Sequence, residues 1–106
     1  MQRESKFQSN LIKKIKKLLP DAIVMKNDSG YIQGIPDLII LNGDKWAALE
    51  CKRSENSKHR PNQDFYVDKM NNMSFAAFAY PENEKEILDA IQRTLRDSGT
   101  PRVSKS

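Results

Sequence analysis

Asp37, Glu50 and Lys52 have the types and spacing to do cation chemistry. They occur as Gly34-Ile35-Pro36-Asp37-Leu38 and Glu50-Cys51-Lys52. The residues between are apolar, Leu38 to Leu41 after the first acid and Trp46 to Leu49 before the second, and Asn42-Gly43 divides them. Two apolar runs joined by Asn-Gly signal a β-hairpin. With Asn42-Gly43 as a two-residue turn, Leu41 pairs with Asp44 and Asp37 with Ala48, so Asp37, Glu50 and Lys52 project from one side of the sheet. Glu50 then lies diagonally from Asp37, about 7–8 Å away between backbone positions. Two carboxylates reaching across that gap can hold a hard divalent cation. A shift of register by one residue would turn Glu50 to the other face. The competing reading is an edge hairpin whose three charged residues form a solvated ion cluster. The apolar flanks favour an interior strand, where an unpaired carboxylate is costly.

The elements that must position these groups follow from the surrounding pattern. In residues 1 to 19, Phe7, Leu11, Ile15 and Leu18 recur at helical spacing, and Arg3, Lys6, Lys13, Lys14, Lys16 and Lys17 stand against the single acid Glu4. This is a basic amphipathic helix ended by Pro20. Its apolar stripe, followed backwards, arrives at Glu4, which either complements the helix dipole or reaches the hairpin acids. Asp21 to Asn27 reads as a strand, Pro36 to Leu41 and Lys45 to Lys52 as the hairpin. Pro61 suits the first position of a helix running to Asn72, with Gln63 toward the sheet and Tyr66, Val67, Met70 and Met73 on its apolar side. Ser74 to Tyr80 reads as a strand, and Pro81 with Glu82, Glu84 and Glu86 opens a helix whose Ile87, Ile91 and Leu95 face inward. The order α-β-β-β-α-β-α predicts an α/β sandwich with a mixed sheet, in one domain over residues 1–97. Residues 98–106 form a polar tail expected to be disordered.

Composition narrows the class of protein. The chain has 106 residues, a net charge of +4, one Cys and one His. One cysteine excludes a disulfide scaffold or a Cys-based zinc module and suits a reducing, intracellular setting. No apolar run is long enough for a membrane span, and the N-terminus lacks the apolar centre of a secretory signal, so a cytoplasmic protein is expected. The basic excess lies in the first helix and after Glu50, which suits nucleic acid as partner. Lys13, Lys17, Lys26, Lys58 and Arg60 are candidate phosphate contacts, against the plainer reading of a solvated charged face. His59, with no partner His or Cys nearby in sequence, is expected to be solvated or to touch phosphate. The Cys51 side chain should point away from Glu50, into the core. Phe7, Trp46 and Phe75 read as core residues.

The pair Gly34-Ile35-Pro36-Asp37-Leu38 and Glu50-Cys51-Lys52, with Glu4 on the first helix and Gln63 at the start of the next, resembles the PD-(D/E)XK nuclease signature in the form of its VRR-NUC branch. Small stand-alone members of that branch occur in bacteriophages and resemble Holliday junction resolvases. The resemblance runs from Glu4 to the last helix, and departs from the family where Asn71-Asn72-Met73 replaces a glycine after the Gln63 helix. It implies a restriction-endonuclease-like core and a DNA endonuclease dependent on Mg²⁺ or Mn²⁺. Asp37, Glu50 and the main-chain carbonyl of Cys51 would ligate the ion, with Glu4 joining directly or through water. Lys52 would orient or deprotonate the attacking water and stabilise the pentavalent phosphate, and Gln63 would lie near both. The implied substrate is branched DNA such as a Holliday junction, in a bacterial or phage-infected cell. A chain this short has no room for a separate DNA-binding domain, and symmetric cutting needs two sites, so a C2 homodimer is expected. The rival readings are a nicking or flap endonuclease without junction preference, and a non-catalytic basic DNA-binding module whose acids are structural.

Overall fold

In the computed structural model, which describes residues 3–96, the helical and alternating patterns become α1 (Glu4–Leu18), β1 (Ile23–Lys26), β2 (Leu38–Asn42), β3 (Lys45–Cys51), α2 (Gln63–Met73), β4 (Phe75–Ala79) and α3 (Glu84–Leu95). A single 3-10 turn, Pro81–Asn83, precedes α3. The order is the expected α-β-β-β-α-β-α; the tail expected at 98–106 lies outside the described residues. The sheet runs β1-β2-β3-β4, antiparallel across the first two pairs and parallel between β3 and β4. A parallel pair needs a crossover, and α2 supplies it.

Strand alternation divides the core between two faces. Leu38, Ile40, Ala47, Leu49, Cys51 and Ala79 turn toward Phe7, Leu11 and Ile15 of α1 and Ile87, Ile91 and Leu95 of α3. Each buried Leu, Ile or Phe contributes about 1.5–3 kcal/mol, and this face carries most of them. The opposite face is thinner. Ala48, Ala76 and Val67, backed by Ile39, Trp46, Met70 and Phe78, join α2 alone to the sheet.

Several expected positions shift for identifiable reasons. The hairpin turn is Gly43-Asp44, because Asn42 pairs with Lys45 and Leu41 with Trp46. Gly43 takes φ 64° at the first central position, where a type II′ hairpin turn favours glycine. Asn42 is freed to donate its side-chain amide to the Leu95 carbonyl, 2.5 Å away, at the end of α3. The register moves by two residues, so parity and the choice of face are unchanged. In α1 the stripe continues through buried Leu19 while Leu18 is exposed, as an i, i+4 step from Ile15 requires. Helix α2 begins at Gln63 and not Pro61: the Gln63 amide donates to the Arg60 carbonyl at 3.2 Å, so Pro61 lies within a tight turn. Met73 is 67% exposed, since the Gln63–Val67–Met70 stripe has rotated past it. At the entry to β4, side chains join α2 to the sheet. Ser74 Oγ donates to the Trp46 carbonyl at 2.5 Å and Asn71 Oδ1 accepts the Ala76 amide at 3.1 Å.

Gly34 joins the two halves of the structure. It is buried at φ 91°, and a Cβ there would come within 2.6 Å of the Asn62 carbonyl carbon and Cβ. Asn62 itself is left-handed, at φ 72°, and immediately precedes Gln63. The loop leading into β2 therefore rests directly on the start of α2. Gly34→Ala should destabilise the protein by about 2–4 kcal/mol in urea unfolding, combining the left-handed strain with the clash. Asn62→Gly, which relieves a positive φ, should change stability by less than about 1 kcal/mol. Equal effects of the two would contradict the close approach.

Candidate active site

The site begins where β2 and β3 part. The Lys52 amide donates to the Ala79 carbonyl of β4 at 2.8 Å. Successive strand amides point to opposite sides, so the N–H and C=O of Cys51 both face β2, opposite Pro36. Pro36 has no N–H to give the Cys51 carbonyl. Its own carbonyl accepts the Asn27 side-chain amide at 2.8 Å. The Cys51 amide is taken up by Asp37 Oδ2 at 2.9 Å. The Asp37 carbonyl accepts the Asn27 amide at 2.7 Å, which fixes the residue from the β1 side as well. One step beyond the Leu38–Leu49 pair, Asp37 stands directly opposite Glu50, closer than the expected diagonal.

Glu50 lies on the α2 face and is only 3% exposed. Its Oε2 accepts the Gln63 side-chain amide at 3.0 Å. Its Oε1 is buried with no hydrogen-bond partner. Burial first, and then the charge of Asp37, push its pKa from 4.5 to about 8 against the opposing pull of Lys52, with Glu4 adding a smaller upward push. An ionised Glu50 is thus a charge awaiting a partner. A hard cation fits these donors: the orphaned carboxylate oxygen, the facing carboxylate of Asp37 and the Cys51 carbonyl that Pro36 leaves without a ladder bond. Among the described residues no three His, Cys, Asp or Glu side chains gather as a metal-holding group. The side-chain donors gathered here are the two carboxylates.

The flanking groups are held by the loop between β3 and α2. Lys52, buried, donates from Nζ to the Lys58 carbonyl at 3.1 Å. Gln63, also buried, accepts the Arg60 amide at Oε1, 2.8 Å away, while its amide nitrogen serves Glu50. Lys58 and Arg60 therefore lie on the loop that supports the site. Lys13 and Lys17 are exposed on α1, in the layer across the sheet from α2. Lys26 pairs with Leu38 and shares its face, so it too points away from Glu50. Glu4 is exposed at the start of α1, near enough for its charge to raise the pKa of both Glu50 and Cys51. The buried Cys51 thiol lies in the α1–α3 core, and burial, followed by the charge of Asp37, pushes its pKa up, which makes it a neutral packing group.

One arrangement was not legible in the chain. His59 is exposed, as expected, but not alone: its ring stacks on Phe78, centroids 3.9 Å apart and planes at 16°, and its Nδ1 meets Asp64 Oδ1 at 2.6 Å. The spacing of His59 and Asp64 across a helix start is the only local signal, and the Phe78 contact depends on the crossover.

Comparison with protein-family models, with curated proteins and with solved structures finds no match for this chain. Among the described residues no helix is long and apolar enough to cross a membrane.

The raised pKa makes stability depend on pH. Unfolded Glu50 ionises near 4.5 and folded Glu50 near 8, so between these values the folded chain holds a proton the unfolded chain has lost. Stability contributed by this group falls as pH rises through that window, by an amount on the order of a few kcal/mol. Thermal melts of metal-free protein should show this decline, and Glu50→Gln should flatten it. At pH 8, Mn²⁺ should raise the melting temperature of the wild type and leave Glu50→Gln unchanged. Parallel profiles for the two proteins would refute the assignment.

Proposed function

We propose that this chain is a metal-dependent DNA endonuclease of the PD-(D/E)XK kind, similar to VRR-NUC proteins. The observation that carries the reading is Glu50: a carboxylate buried at a strand end, facing Asp37, with one oxygen unpartnered and its pKa raised to about 8. Structural carboxylates are ordinarily satisfied by hydrogen bonds or a cation, and this one is left open on the side of a second acid.

Asp37, Glu50 and the Cys51 carbonyl would hold Mg²⁺ or Mn²⁺, with Glu4 contributing through water. The bound ion would supply a readily deprotonated water and neutralise the phosphate. Gln63 anchors Glu50 by Oε2 and leaves Oε1 open. The Lys52 ammonium, steadied by the Lys58 carbonyl, orients the water and offsets the charge that builds on the pentavalent phosphate. Lys58 and Arg60 bind flanking backbone phosphates. Preference for branched DNA, including Holliday junctions, and the homodimer are carried by the resemblance to the VRR-NUC branch.

Purified protein with Mg²⁺ or Mn²⁺ should cut members of a panel of junction, flap, nicked and linear DNA. Asp37→Asn and Glu50→Gln should each lower kcat/KM by about 10³-fold or more, and Gln63→Ala by roughly 10-fold to 10²-fold. Cleavage that survives both carboxylate substitutions would sink the reading. Sedimentation should give twice the 12.2 kDa chain mass; a monomer that cuts both strands of a junction in one binding event would remove the need for a dimer.

A further inference from the structure

Hydrolysis at the site proposed above requires a group to accept the proton of the attacking water, and the groups already described are occupied. Asp37 and Glu50 would be directed to the cation and Glu4 to a water bound to it, and Lys52, as an ammonium, has only hydrogens to offer. His59 is a further titratable group built into the same loop.

Its geometry is over-determined. The residues on either side of it are both tied to the site: the Lys58 carbonyl accepts from Lys52 and the Arg60 amide donates to Gln63. The imidazole stacks on Phe78, whose backbone partner across the parallel pair is Glu50 itself. Adjacent strands lie about 4.8 Å apart, so Phe78 stands one strand over from Glu50, with the imidazole stacked on it. Phe78 packs with the α2-face cluster, which places His59 on the same side of the sheet as Glu50. The ionised Asp64 carboxylate can only accept, so the 2.6 Å contact puts the proton of the neutral ring on Nδ1. Nε2 then carries the ring's one lone pair, and the side chain is 34% exposed, open to water. A carboxylate that fixes the tautomer and stabilises the imidazolium, behind a ring that takes a proton, is the working arrangement of a histidine general base.

We propose that His59, oriented by Asp64 and Phe78, is the general base of the phosphodiester hydrolysis. As the water oxygen bonds to phosphorus, its proton passes to His59 Nε2. The bond from phosphorus to the leaving sugar oxygen breaks, that oxygen takes a proton from solvent, and the imidazolium returns its own to solvent. The inference rests on the nuclease reading, and the test separates the two.

In the wild type, ¹⁵N spectra of the metal-free protein should show the neutral His59 ring protonated at Nδ1. His59→Phe preserves a ring to stack on Phe78 but removes both nitrogens. It should keep the wild-type melting temperature and Mn²⁺ affinity while losing about 10²–10⁴-fold in kcat, the usual worth of a general base. His59→Ala should lose as much and regain at least about 10-fold on addition of free imidazole, which replaces the base and not the packing. An Nε2-protonated neutral ring, cleavage by His59→Phe within about 3-fold of wild type, or no imidazole rescue of His59→Ala overturns the assignment while the carboxylate-dependent nuclease stands. If wild-type protein cuts no DNA while the carboxylates are intact, the nuclease reading fails and this inference with it.

Discussion

Everything at the site depends on how the sheet comes apart at Pro36. A ladder bond between Pro36 and Cys51 would have zipped β2 and β3 to their ends and left Asp37 an ordinary strand residue. Because proline has no N–H, the ladder stops one pair short. Asp37 then does two jobs with one carboxylate: Oδ2 accepts the Cys51 amide in place of the Pro36 carbonyl, which Asn27 holds, and the group as a whole is drawn beside Glu50. Part of the strain on Glu50 is the direct result, since the acid that repairs the backbone adds its charge to the rise in pKa that burial begins. The proline ahead of the strand and the acid after it are one device.

Asparagine side chains perform similar repairs elsewhere. Asn27 meets the Pro36 carbonyl, Asn42 the Leu95 carbonyl, Asn71 the Ala76 amide, and Asn83 both the Tyr80 amide and the Phe78 carbonyl. Each lies where a helix or strand ends and leaves backbone groups unpaired, and each amide supplies the donor or acceptor required. Three of these repairs bear on the strands around the site, Asn27 beside Asp37 and Asn71 and Asn83 on β4, so the frame around Glu50 is held by side chains as well as by ladders.

How much of this was legible in the chain divides along the range of the interactions. Element order and the common face of Asp37, Glu50 and Lys52 follow from local periodicity, which survives a register error of two residues because the strand repeat is two. The turn itself was misplaced, since Asn42 is claimed by Leu95, a partner 53 residues away. The Gln63–Glu50 contact could be anticipated from the helix stripe, because α2 must cover the sheet somewhere near its own start. The approach of Gly34 to Asn62 and the stack of His59 on Phe78 could not. Both join segments that meet only after α2 has crossed from β3 to β4, and neither leaves a repeat in composition.

That crossover also orders events in time. The hairpin of β2 and β3 is a local structure, and while it is alone both carboxylates face water and repel each other weakly. Their burial comes only when α2 docks and β4 pairs parallel to β3, contacts of longer range that close later than a hairpin does. The desolvation of Glu50 therefore weighs on the final closing of the molecule and not on its nucleation. Docking of this one thin layer, joined to the sheet by Val67 and a few partners, is the step at which the strain of the site enters. It is also the step most easily reversed without unfolding the α1–α3 core, so breathing of α2 would expose Glu50 to water while the rest of the fold stays shut.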